Sequence, residues 1–118
     1  MNVPRVPFSK IKNTVLGRAY ELSLVFISAR KMRELNRGYR GKDTATDILS
    51  FPLSKTSGEV FLCMSEVKKK AILFGMTERE YLGYVFIHGL IHLEGFDHGR
   101  TMTRLERKFS KAFGFPAP

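Results

Sequence analysis

TEREYLGYVFIHGLIHLEGFDHG, residues 77–99, decides the fold, because the start, the stop and the faces of a helix can all be read from it. Thr77 and Glu80 have the spacing of a capping box, in which each side chain satisfies a backbone N–H that the first turn leaves unpaired. Gly95 sits where a left-handed residue would end the helix. The pattern therefore predicts a helix over 77–94. At about 100° per residue, Leu82, Val85, Phe86, Gly89 and Leu93 form the main apolar stripe, while Ile87 and Ile91 lie on a different side. A helix apolar on more than one side is buried, so this one is expected to be central to the domain. His88 and His92 fall beside Val85 and Tyr81 at the edge of the stripe, which seats them in the wall of a cleft.

All three histidines of the chain lie within residues 88–99. His88 and His92 are four apart, so on a helix they are about 40° apart on one face and can address the same ion. A turn at Gly95 can bring His98 to that ion from a third direction. Three imidazoles and one open position are the arrangement of a catalytic metal, whereas structural zinc usually has four protein ligands and often uses Cys. A lone histidine is most simply a residue that binds nothing, but HxxxHxxGxxH reproduces a known zinc spacing from first ligand to last, glycine included. The expected cofactor is one Zn2+ ion, with other divalent transition metals such as nickel, cobalt or iron able to use the same nitrogen ligands. Asp97 is either an acceptor that fixes the tautomer of a ligand imidazole or simply a turn former. The spacing is that of the metzincin peptidases, whose motif places a glutamate directly after the first histidine as general base. Gly89 stands there instead, and Glu94 lies about 160° from His92 around the helix. Proteolysis is therefore disfavoured, and a metal-dependent hydrolase of another kind is expected.

A chain of 118 residues is expected to be one domain, 1–118, burying roughly two-thirds of the surface it exposes when unfolded. Its 43% hydrophobic and 26% charged residues are an ordinary globular balance. No apolar run approaches the roughly 20 residues that cross a bilayer. Cys63 is the only cysteine, so an internal disulfide is excluded. With no leader-like N-terminus in the sequence, cytoplasmic residence is expected. Arg5, Lys10, Lys12 and Arg18, with no acid in residues 1–20, have the composition of a transit segment, but Ile11, Val15, Leu16 and Ala19 make the core-facing stripe of a first helix. A net charge of +9 and a pI near 10.0 imply a polyanionic partner. Because the basic residues are spread over 30–42, 68–70 and 100–111, nucleic acid is favoured over a membrane surface. Charge alone would equally suit a ribosome-associated protein with no chemistry.

Alternation of Leu22, Leu24 and Phe26 with Ser23, Val25 and Ile27 predicts a strand over 21–28. Ser28 then caps a basic helix, 29–37, ended by Gly38. Strands are expected over 46–51 and 59–64, joined by a loop holding Pro52, Ser54, Ser57 and Gly58. A helix over 65–74 should stop at Gly75. A final helix over 101–113 would face Leu105, Phe109 and Phe113 inward and Arg104, Lys108 and Lys111 outward. The expected class is α+β: one small mixed sheet packed with helices, and a central buried helix carrying the histidines.

Two motifs, LNRGYRGKDTATDILSFP at 35–52 and HGLIHLEGFDHG at 88–99, together with Gly58-Glu59-Val60, closely resemble the YbeY family of ribosomal RNA maturation endoribonucleases. The resemblance covers nearly all of the chain except about its first twenty residues, where it looks shorter than is usual in that family. It implies an α+β fold, a zinc bound by three histidines, and cleavage of single-stranded RNA during ribosome assembly and quality control. The implied partners are ribosomal RNA and the small ribosomal subunit, with no small-molecule cofactor and no membrane. His88, His92 and His98 match the family's metal ligands, and Arg40 matches the arginine on which its activity depends. A guanidinium there can grip a phosphate bidentately and neutralise charge growing in the transition state. Without the resemblance Arg40 would read as a solvated turn residue. Glu59 stands where the family usually has Asp, and Ala45 where it tends to have Pro. Asp47 and Ser50 match the motif too, although capping of a strand end explains them equally well. No second metal site is visible, so a two-metal mechanism is not expected. The alternatives are a metal-stabilised ribosome or RNA-binding protein without turnover, and a metallopeptidase of unusual acid/base design.

Overall fold

The computed structural model describes residues 3–118. The elements run α1 (Phe8–Leu16), β1 (Glu21–Phe26), α2 (Ala29–Arg40), β2 (Ile48–Ser54), β3 (Ser57–Leu62), α3 (Met64–Leu73), α4 (Glu78–Leu93) and α5 (Arg100–Ala112). The fold is α+β with one small mixed sheet, as the sequence leads one to expect. β3 lies in the middle, parallel to β1 and antiparallel to β2. A short turn at Lys55 and Thr56 forces the antiparallel pairing of β2 and β3, whereas β1 reaches β3 only after α2 and β2 have intervened.

The predicted loop between these two strands is a point of correction. Pro52 pairs with Gly58 and Ser54 with Ser57, so the ladder runs almost to the turn, with a register shift between Pro52 and Ser54. β2 is an edge strand, where a residue lacking an N–H breaks no ladder bond.

Side chains alternate across the sheet and build two cores. Leu22, Leu24, Phe26, Val60, Leu62 and Ile48 face α4, and with α1, α3 and α5 they make the larger one. Met32 of α2 packs with Leu49 and Cys63 on the other face, against Phe51 and Phe61. Helix α4 is the centre of the larger core. Leu82, Phe86, Ile87 and Leu90 are fully buried, Ile91 and Val85 nearly so, and the apolar residues on more than one side explain it. Its start is the expected capping box: Thr77 Oγ1 accepts from the Glu80 N–H at 3.1 Å, and Glu80 Oε1 accepts from the Thr77 N–H at 2.9 Å. The chain leaves it through Gly95 at φ 97°, a conformation that favours glycine.

Two glycines let α4 approach its neighbours. A methyl group on Gly83 would lie 2.5 Å from the Phe115 ring, and one on Gly89 would overlap Ile48 Cδ1 and come within 2.8 Å of Ser50 Oγ. Ser50 Oγ uses the proximity to donate to the Gly89 carbonyl at 3.0 Å.

Three helix boundaries or faces differ from expectation. α2 continues through Gly38 to Arg40, because Gly41, at φ 67°, supplies the left-handed cap three residues later. α1 ends at Leu16, so Ile11 and Val15 are buried as expected while Ala19 is exposed beyond the turn at Gly17. On α5 the most buried face is Met102, Glu106 and Ser110; Leu105, Phe109 and Phe113 pack against the core only partly buried, and Arg104, Lys108 and Lys111 do point outward. On that inward face Glu106 meets a polar partner, the His88 ring.

Gly89→Ala should lower unfolding free energy by about 1–3 kcal/mol, since a methyl must displace Ile48 or Ser50. Gly38→Ala, in open space within α2, should instead raise it by up to about 1 kcal/mol. Urea denaturation midpoints of the two variants check both signs.

Candidate metal centre

One cleft of about 230 Å³ collects residues from four separate parts of the chain. Helix α2 ends at its rim with Arg40; the approach to β2 brings Thr46 and Asp47, and β2 itself Ile48 and Ser50; α4 contributes Tyr81, Tyr84, Val85, His88 and His92; and His98 comes from the loop before α5.

The rim is shaped by polar contacts around residues 41–47. Arg33 grips Asp43 bidentately, Nε to Oδ1 at 2.8 Å and Nη2 to Oδ2 at 2.9 Å, and Asn36 Nδ2 donates to the Thr44 carbonyl at 2.9 Å. The Arg33 guanidinium holds the Asp43 carboxyl below its ordinary range. Asp47 is fixed from both ends: its carbonyl accepts from the Cys63 N–H at 3.0 Å, and its Oδ2 accepts from the Tyr81 hydroxyl at 2.6 Å. Burial, and then that carboxylate, push the Tyr81 hydroxyl well above the usual tyrosine range, so it stays protonated.

The helical spacing and the turn at Gly95 bring the three imidazoles together. Their ring centroids lie 4.7, 5.4 and 5.0 Å apart, and one nitrogen from each falls within 4.8 Å of the others. His88 Nδ1 donates to Glu106 Oε2, and His92 Nδ1 donates to the Phe96 carbonyl at 3.0 Å. A backbone carbonyl can only accept, so the His92 ring carries its hydrogen on Nδ1 and presents the Nε2 lone pair to the cluster, and the Glu106 contact at Nδ1 leaves Nε2 of His88 facing the same way. Burial, followed by the neighbouring His88, lowers the His92 pKa, which favours the neutral ring that binds metal. Tetrahedral Zn–N bonds of about 2.0–2.1 Å place ligand atoms roughly 3.3 Å apart, so the rings need to close by no more than about 1.5 Å. The donor set fits a divalent transition ion.

Glu106 has the most constrained setting. It is 8% exposed, accepts from His88, and lies 3.3 and 3.4 Å from the Tyr84 hydroxyl. Burial and this carboxylate push the Tyr84 hydroxyl up to about 12.

The structure thus gathers His88, His92, His98, Arg40 and Asp47 around one cleft and leaves two sequence candidates outside it. Asp97 is exposed and makes none of the imidazole hydrogen bonds; the accepting role belongs to Glu106 and the Phe96 carbonyl. Glu59 follows Gly58 on β3, so alternation turns it to the α2 face, opposite Phe51 and away from the histidines. Glu94, set aside from the sequence, caps α4 and does not line the cleft. Glu106 and Tyr84 were missed. The legible signal for Glu106 was an acid one helical turn from both Met102 and Ser110, on a helix otherwise basic toward solvent.

Comparison with known proteins agrees with this architecture. The family described as "Endoribonuclease YbeY" matches residues 6–114. A Sulfurovum protein named Endoribonuclease YbeY is 34% identical, the alignment covering 99% of this chain and 87% of that one. A Campylobacter fetus protein of the same name is 38% identical over 75% of this chain and 69% of its own. The solution structure of TM1509 from Thermotoga maritima superposes with a TM-score of 0.65 at 28% identity, covering 88% of this chain and 77% of that one.

Glu106→Gln should weaken the binding of an added divalent transition ion about 10–100-fold while the fold persists, because an amide holds the His88 ring less firmly than a carboxyl group does. Chelator competition measures the affinity, and circular dichroism the fold.

Proposed function

The chain belongs to the Endoribonuclease YbeY family, and on that premise we propose that it is a zinc-dependent, single-strand-specific endoribonuclease of ribosomal RNA maturation and ribosome quality control. The observation that carries this reading is the cluster of three imidazole nitrogens within 4.8 Å, in a cleft whose rim holds an arginine. Residues 1–118 act as one domain on ribosomal RNA, in contact with the small ribosomal subunit, in the cytoplasm. No helix among the described residues is long and apolar enough to cross a membrane.

An ion bound by His88, His92 and His98 would supply Lewis-acid polarisation and a water activated near neutral pH. The remaining work falls to side chains. Arg40 is exposed at the end of α2 and, among the described residues, forms no ion pair, so its guanidinium is available to a phosphodiester. There it binds the anion and neutralises charge that grows as the bond breaks. Asp47 positions Tyr81, and Glu106 with the Phe96 carbonyl holds two rings in orientation. Peptidase chemistry lacks support because the position that would hold a general-base glutamate is Gly89, packed against β2 with no room for a side chain.

The test compares zinc-loaded wild type, His92→Ala and Arg40→Glu on single-stranded RNA and on a peptide library. Wild type should cut RNA and no peptide, and a chelator should stop the cutting until zinc is restored. His92→Ala should lose metal and cutting together, and Arg40→Glu should keep the metal but cut about 100-fold or more slowly. Equal cutting by all three would reject the assignment, and RNA binding without any cutting would favour a non-catalytic RNA-binding protein.

A further inference from the structure

The positive charge of the chain is not distributed alike over its helices. On α2, Arg30 pairs with Glu34, and Arg33 and Arg37 both pair with Asp43, so much of its charge is neutralised within the protein. On α5 the charged residues are Arg100, Arg104, Arg107, Lys108, Lys111 and Glu106, and the only acid is turned inward to His88. Every solvent-facing charge of that helix is therefore positive, and among the described residues none of its cations forms an ion pair. Arg100 even stands in the first turn, where the helix dipole favours an acid.

Three of these cations share one depression. Arg100, Thr103, Arg104 and Arg107, with Gly99, line a shallow groove along a single face of α5. The groove begins at Gly99, next in the chain to His98 of the histidine cleft, so its near end lies within one residue of that cleft. From Arg100 to Arg107 the helix rises about 10 Å, enough to meet more than one phosphate of an extended strand.

Resting on the endoribonuclease reading, we propose that Arg100, Arg104 and Arg107 form a track that holds the phosphate backbone of the RNA strand as it leaves the histidine cleft. Phosphate, rather than base, is the matching chemistry: planar guanidiniums suit its oxygens bidentately, and no aromatic ring lines the groove. The track contributes affinity and strand direction and takes no part in bond breaking.

The experiment uses the full zinc-loaded chain and two single-stranded RNAs, of about 16 and about 4 nucleotides. The variant Arg100→Gln/Arg104→Gln/Arg107→Gln is compared with Lys10→Gln/Arg18→Gln/Lys55→Gln, which removes equal charge from exposed positions elsewhere. Fluorescence anisotropy over a salt series should show the α5 variant binding the longer RNA at least about tenfold more weakly, with a shallower slope of log affinity against log salt. The slope should fall by about 2, because each phosphate that the protein no longer neutralises removes about 0.7. The variant's KM for that RNA should rise while kcat and cleavage of the short RNA hold, and the control variant should change by less than about twofold. Equal weakening by both variants would reduce the effect to net charge and overturn the proposal, as would an α5 variant with wild-type affinity and slope, the result expected if the groove receives an acidic protein. Failure of wild type to cut RNA would sink the endoribonuclease reading, a result separate from the binding comparison.

Discussion

Helix α4 meets strand β2 at Gly89, where the helix presents no side chain and those of Ile48 and Ser50 lie directly against its backbone, and the position of the cleft depends on that contact. The Ser50 hydroxyl reaches the Gly89 carbonyl, and Ile48 occupies the space a Cβ would need. The residue immediately before Gly89 is the first histidine and the second follows three residues after it, so closeness at this point sets His88 and His92 against the start of β2 and the end of α2. A bulkier residue would move the histidines away from Arg40 and Asp47. The same glycine separates this chain from the peptidase motif whose spacing it shares, since packing leaves no room for a carboxylate there.

A second constraint is a carboxylate buried without a full countercharge. Removing Glu106 from water is unfavourable, and it is offset by the hydrogen bonds from His88 and Tyr84. They lie on the face of α5 that turns Met102, Glu106 and Ser110 inward, and the basic residues of the helix are left toward solvent. One helix thus meets an imidazole on its inner face and carries its charges on the outer one, linking the metal cluster to the surface nearest it.

Local polar contacts give the rest of the cleft its shape. Residues 41–47 contain no helix or strand, yet they carry Thr46 and Asp47 to the wall. Arg33 and Asn36 on α2 hold them at Asp43 and Thr44, and Gly41 lets α2 extend far enough to bring Arg40 to the rim. Arginines engaged in this scaffold are not free to meet a ligand, whereas Arg40 and the arginines of α5 form no ion pair among the described residues.

By itself the amino-acid sequence determined the α+β class, the length and burial of α4, the capping box at Thr77, and the grouping of three histidines. These follow from periodicity, capping chemistry and spacing, which act over a few residues and are written in consecutive letters. It misplaced the end of α2, because either Gly38 or Gly41 can stop a helix and only the fold shows which adopts the left-handed conformation. It offered Asp97 as the partner of a histidine and did not single out Glu106, which holds that place. Asp97 is adjacent in sequence but exposed, while Glu106 lies 18 residues from His88 and meets it only once α5 has folded back onto α4. Nor could alternation alone show that Glu59 faces α2, since period two gives two faces and the choice between them rests with the helices that cover each side. Tertiary structure decided these points because each depends on which distant surfaces are in contact, and hydrophobic burial, which is non-directional, leaves that to the packing of the whole chain.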